Sequence, residues 1–321
     1  MVELSQSCFK MDKDSNFSKR SKKEHKIRSV GTYSFLRQYI AALRPWSLSA
    51  SLIPVSLGSV LSYKIESNFS LLIYLCSCLT ALSVHSAGNL VNTYFDFKRG
   101  VDNKKSDDRT LVDEILTPNN IATLGSLFYI FGCFGFGILC IISPAEVEHL
   151  ALIYFGGLSS SFLYTGGLGL KYIALGDIII FLTFGPITVL FAYLTQCGQL
   201  STTTLIYAIP LALNTEAILH ANNTRDRETD RAAGIVTLAI YLGETGSYIL
   251  FCFLLFIPHV VLMLCVIHRS VFFILPVLTC YEVFRVEKEF RAKDLRFLPK
   301  KLAMYNVKFG IAYIIACFLS I

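Results

Sequence analysis

Two short polar runs in an otherwise apolar chain hold residues whose types and spacing suit chemistry. In the first, Asn92, Asp96 and Asp102 follow a long hydrophobic stretch. Asn92 and Asp96 are four apart and share a helix face, and Gly100 lets the chain turn so that Asp102 comes back toward them. In the second, Asn222, Asn223, Asp226 and Asp230 close another apolar run, with Asn222, Asp226 and Asp230 again on one face. Oxygen donors on one wall suit a hard cation such as Mg2+, which takes one or two protein carboxylates and leaves its other positions to water and phosphate oxygens. The metal set read in this way is Asn92, Asp96, Asp102, Asn223, Asp226 and Asp230. Either run alone is as well read as a solvated helix end with local salt bridges. Repetition at matching places is what favours two walls of one pocket.

The elements that must position these residues are membrane helices. Of 321 residues, 54% are hydrophobic and only 16% charged, and the mean hydropathy is +0.55, far from the usual soluble balance. Apolar runs place nine spans near 44–63, 71–96, 121–143, 148–165, 173–195, 202–222, 245–266, 270–286 and 303–320, with 235–243 as a short interfacial piece before the seventh. Residues 1–38 read as a disordered basic tail carrying Lys19, Arg20, Lys22 and Lys23. Residues 39–321 then form one intramembrane domain. The ten cysteines lie mostly within apolar runs without C-x-x-C spacing, which argues against a disulfide framework or a zinc site.

Loop charges orient the bundle. Lys98, Arg99, Lys104, Lys105 and Arg109 after span two, Lys171 after span four, Arg225, Arg227 and Arg231 after span six, and six cations after span eight all fall on one side if the count is nine. That side is cytoplasmic by the positive-inside rule. Both acidic runs then face the same compartment, and the net charge of +6 belongs to membrane topology rather than to nucleic-acid binding. The runs follow spans two and six, which gives an all-α bundle of two pseudo-repeated four-helix halves plus a last helix, with a central cavity capped on the cytoplasmic side.

A pocket of carboxylates, Mg2+ and the interleaved cations Lys98, Arg99 and Arg225 suits a diphosphate, and an apolar tunnel behind it suits a hydrocarbon tail. Together they describe an isoprenyl diphosphate. Metal and basic groups would neutralise the leaving diphosphate, and aromatic faces such as Tyr94, Phe95, Tyr154, Phe162 and Tyr164 could stabilise the allylic carbocation left behind.

The two runs, with the stretches 86–92, 104–113, 150–157 and 216–226, resemble the aspartate-rich motifs of the UbiA-type intramembrane aromatic prenyltransferases, and most closely their animal, menaquinone-4-forming branch. The resemblance runs from about Arg44 to the eighth span. It implies nine transmembrane helices and Mg2+-dependent joining of geranylgeranyl diphosphate to reduced menadione (menadiol), giving menaquinone-4. Asn92, Asp96, Asp102, Asn222, Asn223, Asp226 and Asp230 would hold Mg2+ and diphosphate. Tyr164 and Lys171, in a loop with glycines at 166, 167 and 169, match the family's third element and would touch diphosphate. Read by itself, Lys171 is equally a topology charge. The resemblance also suggests the sterol-pathway hydroxymethylglutaryl-CoA reductase as a partner, and an endoplasmic reticulum or Golgi membrane, with the mitochondrial membrane as the alternative.

Asp107, Asp108, Arg109 and Thr110 continue the first loop as a lid or as a capped, solvated turn. Glu216 with His220, and His85 with Asn89, are pairs four apart that would orient the acceptor or remove its ring proton, or would simply satisfy themselves between helices. Other readings remain: 4-hydroxybenzoate polyprenylation or farnesylation of haem, a transporter or cation carrier, and a prenyl-lipid or sterol-sensing regulator without turnover.

Overall fold

The computed structural model describes residues 37–102 and 108–321. The expected tail therefore lies almost wholly outside the described residues, as does Asp107. Of the two compact units, Met1–Ala42 and Leu43–Ile321, the first contributes only the helical residues 37–42. The second carries the bundle.

Its helices are α1 (Ser49–Glu66), α2 (Leu71–Lys98), α3 (Pro118–Ile142), α4 (Val147–Gly156), α5 (Ser161–Thr165), α6 (Gly176–Leu182), α7 (Thr188–Cys197), α8 (Thr202–Arg225), α9 (Arg227–Ala232), α10 (Leu238–His268), α11 (Ile274–Val277), α12 (Cys280–Arg291) and α13 (Leu298–Ser320). No strand ladder forms among the described residues; the one β-type pairing is the isolated parallel bridge Ile173–Val236. Local signals start the helices where the chain leaves polar surroundings. Ser70 accepts from the Ile73 amide at the head of α2, and Thr117 accepts from Asn120 ahead of Pro118 at the first position of α3.

Six segments among the described residues are long and apolar enough to cross a membrane: Pro45–Glu66, Leu71–Lys98, Pro118–Ile142, Gly176–Cys197, Leu238–His268 and Leu298–Ser320. The fourth joins α6 to α7 through a π turn at Thr183–Ile187 that contains Pro186, whose missing amide cannot continue the α ladder. The other three stretches read as spans take different forms. Residues 147–165 are split between α4 and α5 at Gly157, where an added Cβ would stand within 2.6 Å of the Ile153 carbonyl. α8 is unbroken but interrupts its apolar surface with Asn214, Glu216 and His220. Residues 271–291 fold as a 3-10 turn, α11 and α12. The interfacial piece before the seventh span ends at Gly243, whose φ of 67° breaks α10 near its start.

Two apolar clusters hold the helices together. One gathers Ile53, Leu57, Tyr193, Leu211, Phe251, Phe290, Tyr305 and Phe309, and the other Val55, Val84, Leu139, Leu150, Tyr154 and Phe191. α1 and α7 serve both. They approach so closely that a Cβ on Gly58 would meet the Val189 carbonyl, so only glycine fits there. α3 is packed on one side only: Ile130, Phe131, Phe134 and Ile141 are exposed, as suits a face turned to lipid.

Candidate active site

The end of α2 presents the first run. Asp96 is buried, and both its oxygens are engaged: Lys171 Nζ donates to Oδ2 at 2.6 Å and the Tyr172 hydroxyl donates to Oδ1 at 2.9 Å. Lys171 also reaches Asn92 Oδ1 at 3.2 Å. Gly100, at φ 71°, reverses the chain, and the amides of Val101 and Asp102 bond back to the Asp96 carbonyl at 2.9 and 3.3 Å. Asp102 thus returns to its partners as the spacing predicts. Burial, with the charges of Asp96 and Asp108 beside it, pushes its carboxyl up to about 7.

The second run closes α8. Arg225 grips Asp226 through two bonds, Nε to Oδ1 at 2.8 Å and Nη2 to Oδ2 at 2.7 Å, and donates to Asn222 Oδ1 at 2.7 Å. Asn223 and Asp230 are buried. Burial raises the Asp230 carboxyl to about 6; Lys171 opposes the rise, and the charges of Asp226 and Asp96 add to it. The two runs, far apart in sequence, therefore share one electrostatic environment.

The loop after α5 joins them. Val236 donates to the Tyr172 carbonyl at 3.2 Å, and Ala174 donates to Val236 at 2.7 Å, so the segment carrying Lys171 is bonded to the segment that follows Asp230. Val101, Tyr172 and Ile235 pack as a small apolar cluster beneath this junction. Arg99 stacks on the Tyr172 ring at 4.2 Å and Lys98 lies 5.9 Å from the Tyr94 ring, so these two cations rest on aromatic faces.

Asp108 is clamped. Arg44 Nη2 and Thr93 Oγ1 each donate to its Oδ2 at 2.7 Å, and the Thr110 amide donates to Oδ1 at 3.0 Å. Burial works against the charge of Asp108, yet the Arg44 guanidinium and these bonds hold its carboxyl below the usual range. Arg109 pairs instead with Asp113 at 2.7 Å on the surface.

Two cavities meet at Gly88. The first, about 130 Å³, is polar and is lined by Arg44, His85, Asn89, Asn92, Tyr164, Lys171, Phe184 and Asn222, among others. The second, about 680 Å³, runs between α2, α3, α4 and α5; Leu90, Val91, Tyr94, Phe95, Ile121, Gly125, Ile130 and Phe162 line it. That volume is in the range of small-molecule sites. Tyr94, Phe95 and Phe162 thus face the apolar cavity and Tyr164 the polar one, whereas Tyr154 is packed against Phe136 at 4.6 Å.

The remaining candidate pairs are not paired with each other. His85 bonds Ser51 through Nδ1 at 2.7 Å, and Asn89 donates to the Leu43 carbonyl and to Ser47, both at 3.0 Å. His220 Nε2 faces the Ser247 carbonyl at 3.0 Å, and Glu216 lies against Asp177. Sequence reasoning missed Tyr172, Asp177 and the role of Arg44 beside the polar cavity. Tyr172 and Asp177 had a signal of position, flanking Lys171 within one loop and helix start.

Among the described residues no three His, Cys, Asp or Glu side chains stand close enough to hold a cation by themselves. The donor set still fits Mg2+. Carboxylates and amide oxygens are hard donors, and Asp102 and Asp230 are held above their ordinary range partly by neighbouring carboxylates, a crowding that a divalent cation relieves.

The profile of the UbiA prenyltransferase family matches residues 51–307. The chain is 55% identical over 290 residues to the UbiA prenyltransferase domain-containing protein 1 homolog of Drosophila melanogaster, covering 89% of this chain and 81% of that one. It is 53% identical over 282 residues to the UbiA prenyltransferase domain-containing protein 1 of Homo sapiens, covering 88% and 83%. Its fold is similar to that of a UbiA homolog from Aeropyrum pernix K1, with a TM-score of 0.66 at 14% identity, over 84% of this chain and 97% of that one. It is also similar to a UbiA homolog from Archaeoglobus fulgidus bound to GPP and Mg2+, with a TM-score of 0.60 at 15% identity, over 86% and 99%.

Proposed function

Given that the chain belongs to the UbiA prenyltransferase family and is a prenyltransferase, we propose that it transfers the geranylgeranyl group of geranylgeranyl diphosphate to reduced menadione, forming menaquinone-4. One observation carries the reading. Lys171 joins Asn92 and Asp96 at the rim of a polar cavity that also includes Asn222 and adjoins, at Gly88, an apolar cavity of about 680 Å³. A diphosphate head and an isoprenoid tail need that adjacency.

Asn92, Asp96, Asp102, Asn223, Asp226 and Asp230 would hold Mg2+, which supplies Lewis-acid neutralisation of the leaving diphosphate. Lys171 and Arg225, each now on a carboxylate, reach a diphosphate between the two runs by side-chain rotation. With Tyr164 and Asn222 they fix its register, and Lys98 and Arg99 add positive charge at the entrance. Tyr94, Phe95 and Phe162 turn aromatic faces to the apolar cavity, where they shield the allylic cation from water. Asp108, clamped by Arg44, fixes the chain at residues 108–110 beside the cavity that Arg44 lines.

Nine crossings place both runs on the cytoplasmic side, with α8 and the segments 147–165 and 271–291 completing the count. The host membrane is the endoplasmic reticulum or Golgi, and the reductase of the sterol pathway is a candidate partner. The test is mass spectrometry of products from purified protein given geranylgeranyl diphosphate and reduced menadione, with Mg2+ or with EDTA. A metal-dependent menaquinone-4 mass supports the reading. Transfer to 4-hydroxybenzoate alone would move the acceptor elsewhere in the family, and no transfer to any acceptor would sink it.

A further inference from the structure

The cavity at Gly88 has lining that the diphosphate chemistry above does not use: His85 and Asn89 on α2, and the apolar Ile180, Phe184 and Leu219. A diphosphate gains nothing from apolar carbon, whereas a flat aromatic molecule does. Phe184 lies in the π turn between α6 and α7, a helix irregularity that recurs at functional sites. The turn is pinned on α8, because Gly185 is so close to Ala212 that no Cβ fits between them. The rings of His85 and Phe184 meet at 4.5 Å with a tilt of 51°.

His85 and Asn89 are four apart on α2 and share one face. Each is already oriented by its neighbours. Ser51 Oγ stands 2.7 Å from His85 Nδ1, which leaves Nε2 with a long approach of 3.4 Å to Ser47 Oγ. Ser47 spends its own proton on the Arg44 carbonyl at 2.9 Å. Asn89 Nδ2 donates to the Leu43 carbonyl and to Ser47 Oγ, both at 3.0 Å, while Oδ1 accepts no hydrogen bond among the described residues. A donor-starved amide oxygen and a loosely held imidazole nitrogen thus line the same cavity as the Phe184 ring.

We propose that His85, Asn89 and Phe184 form the acceptor subsite, which takes a phenol or hydroquinone and holds it by one ring hydroxyl. The inference rests on the transfer reaction proposed above. The hydroxyl donates to Asn89 Oδ1 and accepts from His85 Nε2–H, while Ser51 donates to Nδ1 and so fixes that tautomer. The ring lies against Phe184. Gly88 joins this cavity to the apolar one. The carbon ortho to the held hydroxyl, made electron-rich by that oxygen, therefore meets the donor where its head and tail cavities join. Oxidised menadione offers a carbonyl, which accepts from His85 but cannot donate to Asn89, so the subsite selects the reduced acceptor. His85 and Asn89 position the acceptor and take no proton from it.

The test is anaerobic calorimetry of full-length protein in detergent with reduced menadione and with the two methylnaphthols that each lack one of its hydroxyls. The wild type should bind one methylnaphthol about 10-fold more weakly than reduced menadione. In His85→Phe, which keeps a ring on Phe184, that preference should largely vanish, because reduced menadione binds more weakly while the affected methylnaphthol does not. The half-saturating concentration of prenyl diphosphate in turnover should stay as in the wild type. Asn89→Leu carries the same readouts should His85→Phe not fold. Equal weakening of all three ligands, the signature of a packing role, would overturn the inference. So would wild-type affinity for reduced menadione in both variants. A wild type that binds with the hydroxyl preference yet transfers no prenyl group would support the subsite and remove the transfer reaction; transfer without any hydroxyl preference would do the reverse.

Discussion

The hydroxyl of Tyr172 donates to Asp96 Oδ1 at 2.9 Å while Lys171, the preceding residue, holds Oδ2 at 2.6 Å. Adjacent residues of one loop thereby orient a carboxylate on another helix. Tyr172→Phe removes one of these two supports and nothing of the ring stacking on Arg99. Loss of such an orienting bond typically weakens metal affinity or activity by about 10–100-fold. The Mg2+ concentration needed for half-maximal turnover should rise accordingly; an unchanged value would make Tyr172 a packing residue.

Asp96→Asn and Asp226→Asn keep side-chain shape while removing the charge from each run. Turnover should be nearly abolished in both, with a cooperative melting transition in detergent retained, at a lower temperature for Asp96→Asn because the buried Lys171 loses its charge partner. Normal activity in the two variants would eliminate a metal site shared between the runs.

Lys171→Ala should act mainly on the donor substrate. The half-saturating concentration of prenyl diphosphate rises, whereas that of the quinol changes little. If the donor dependence is flat, Lys171 serves membrane topology alone.

Arg44→Ala strands Asp108, whose side chain is only 15% exposed. Removing one partner of a buried pair costs about 3 kcal/mol, so the melting temperature should drop. The double variant Arg44→Ala, Asp108→Ala should recover much of the loss, and a double-mutant cycle measures how much. Additive losses would mean that the clamp is not a coupled pair.

Gly125 lines the apolar cavity opposite Leu90, where an added Cβ would sit 3.4 Å from the Leu90 Cβ. Gly125→Leu should fill part of that space and shift preference toward a shorter chain. The ratio of kcat/KM for geranyl over geranylgeranyl diphosphate checks this; an unaltered ratio would place the tail elsewhere.

Asn92 and Asp96 were readable because their spacing follows the helix period, and the chain at Asp102 turns back toward Asp96 because Gly100 adopts a conformation that the sequence advertised; the expected single face of Asn222, Asp226 and Asp230 is interrupted, because α8 ends at Arg225 and Asp226 leaves the helix before α9. Arg44 was not, and Tyr172 and Asp177 offered only their position near Lys171, because the meaning of all three arises from contacts between segments far apart in the chain. Arg44 resembled any cation before a membrane helix until Asp108 was seen folded back on it. The spans divide likewise. Hydropathy finds uniform helices such as α3, but it averages over the break at Gly157 and cannot separate one long crossing from the short pieces at 271–291.

The large cavity is lined by the exposed Ile130, Phe155 and Phe162 on one side and by Tyr94 and Phe95, near the charged end of α2, on the other. Its counterpart at Gly88 sets Arg44, Asn92, Lys171 and Asn222 beside Ile180, Phe184 and Leu219. On the proposed reaction the ionic product would leave past the polar groups and the greasy one past apolar surface suited to lipid, into different solvents. Such an enzyme sorts matter between phases as it makes a bond. Its reverse reaction is then opposed by partition as well as by chemistry.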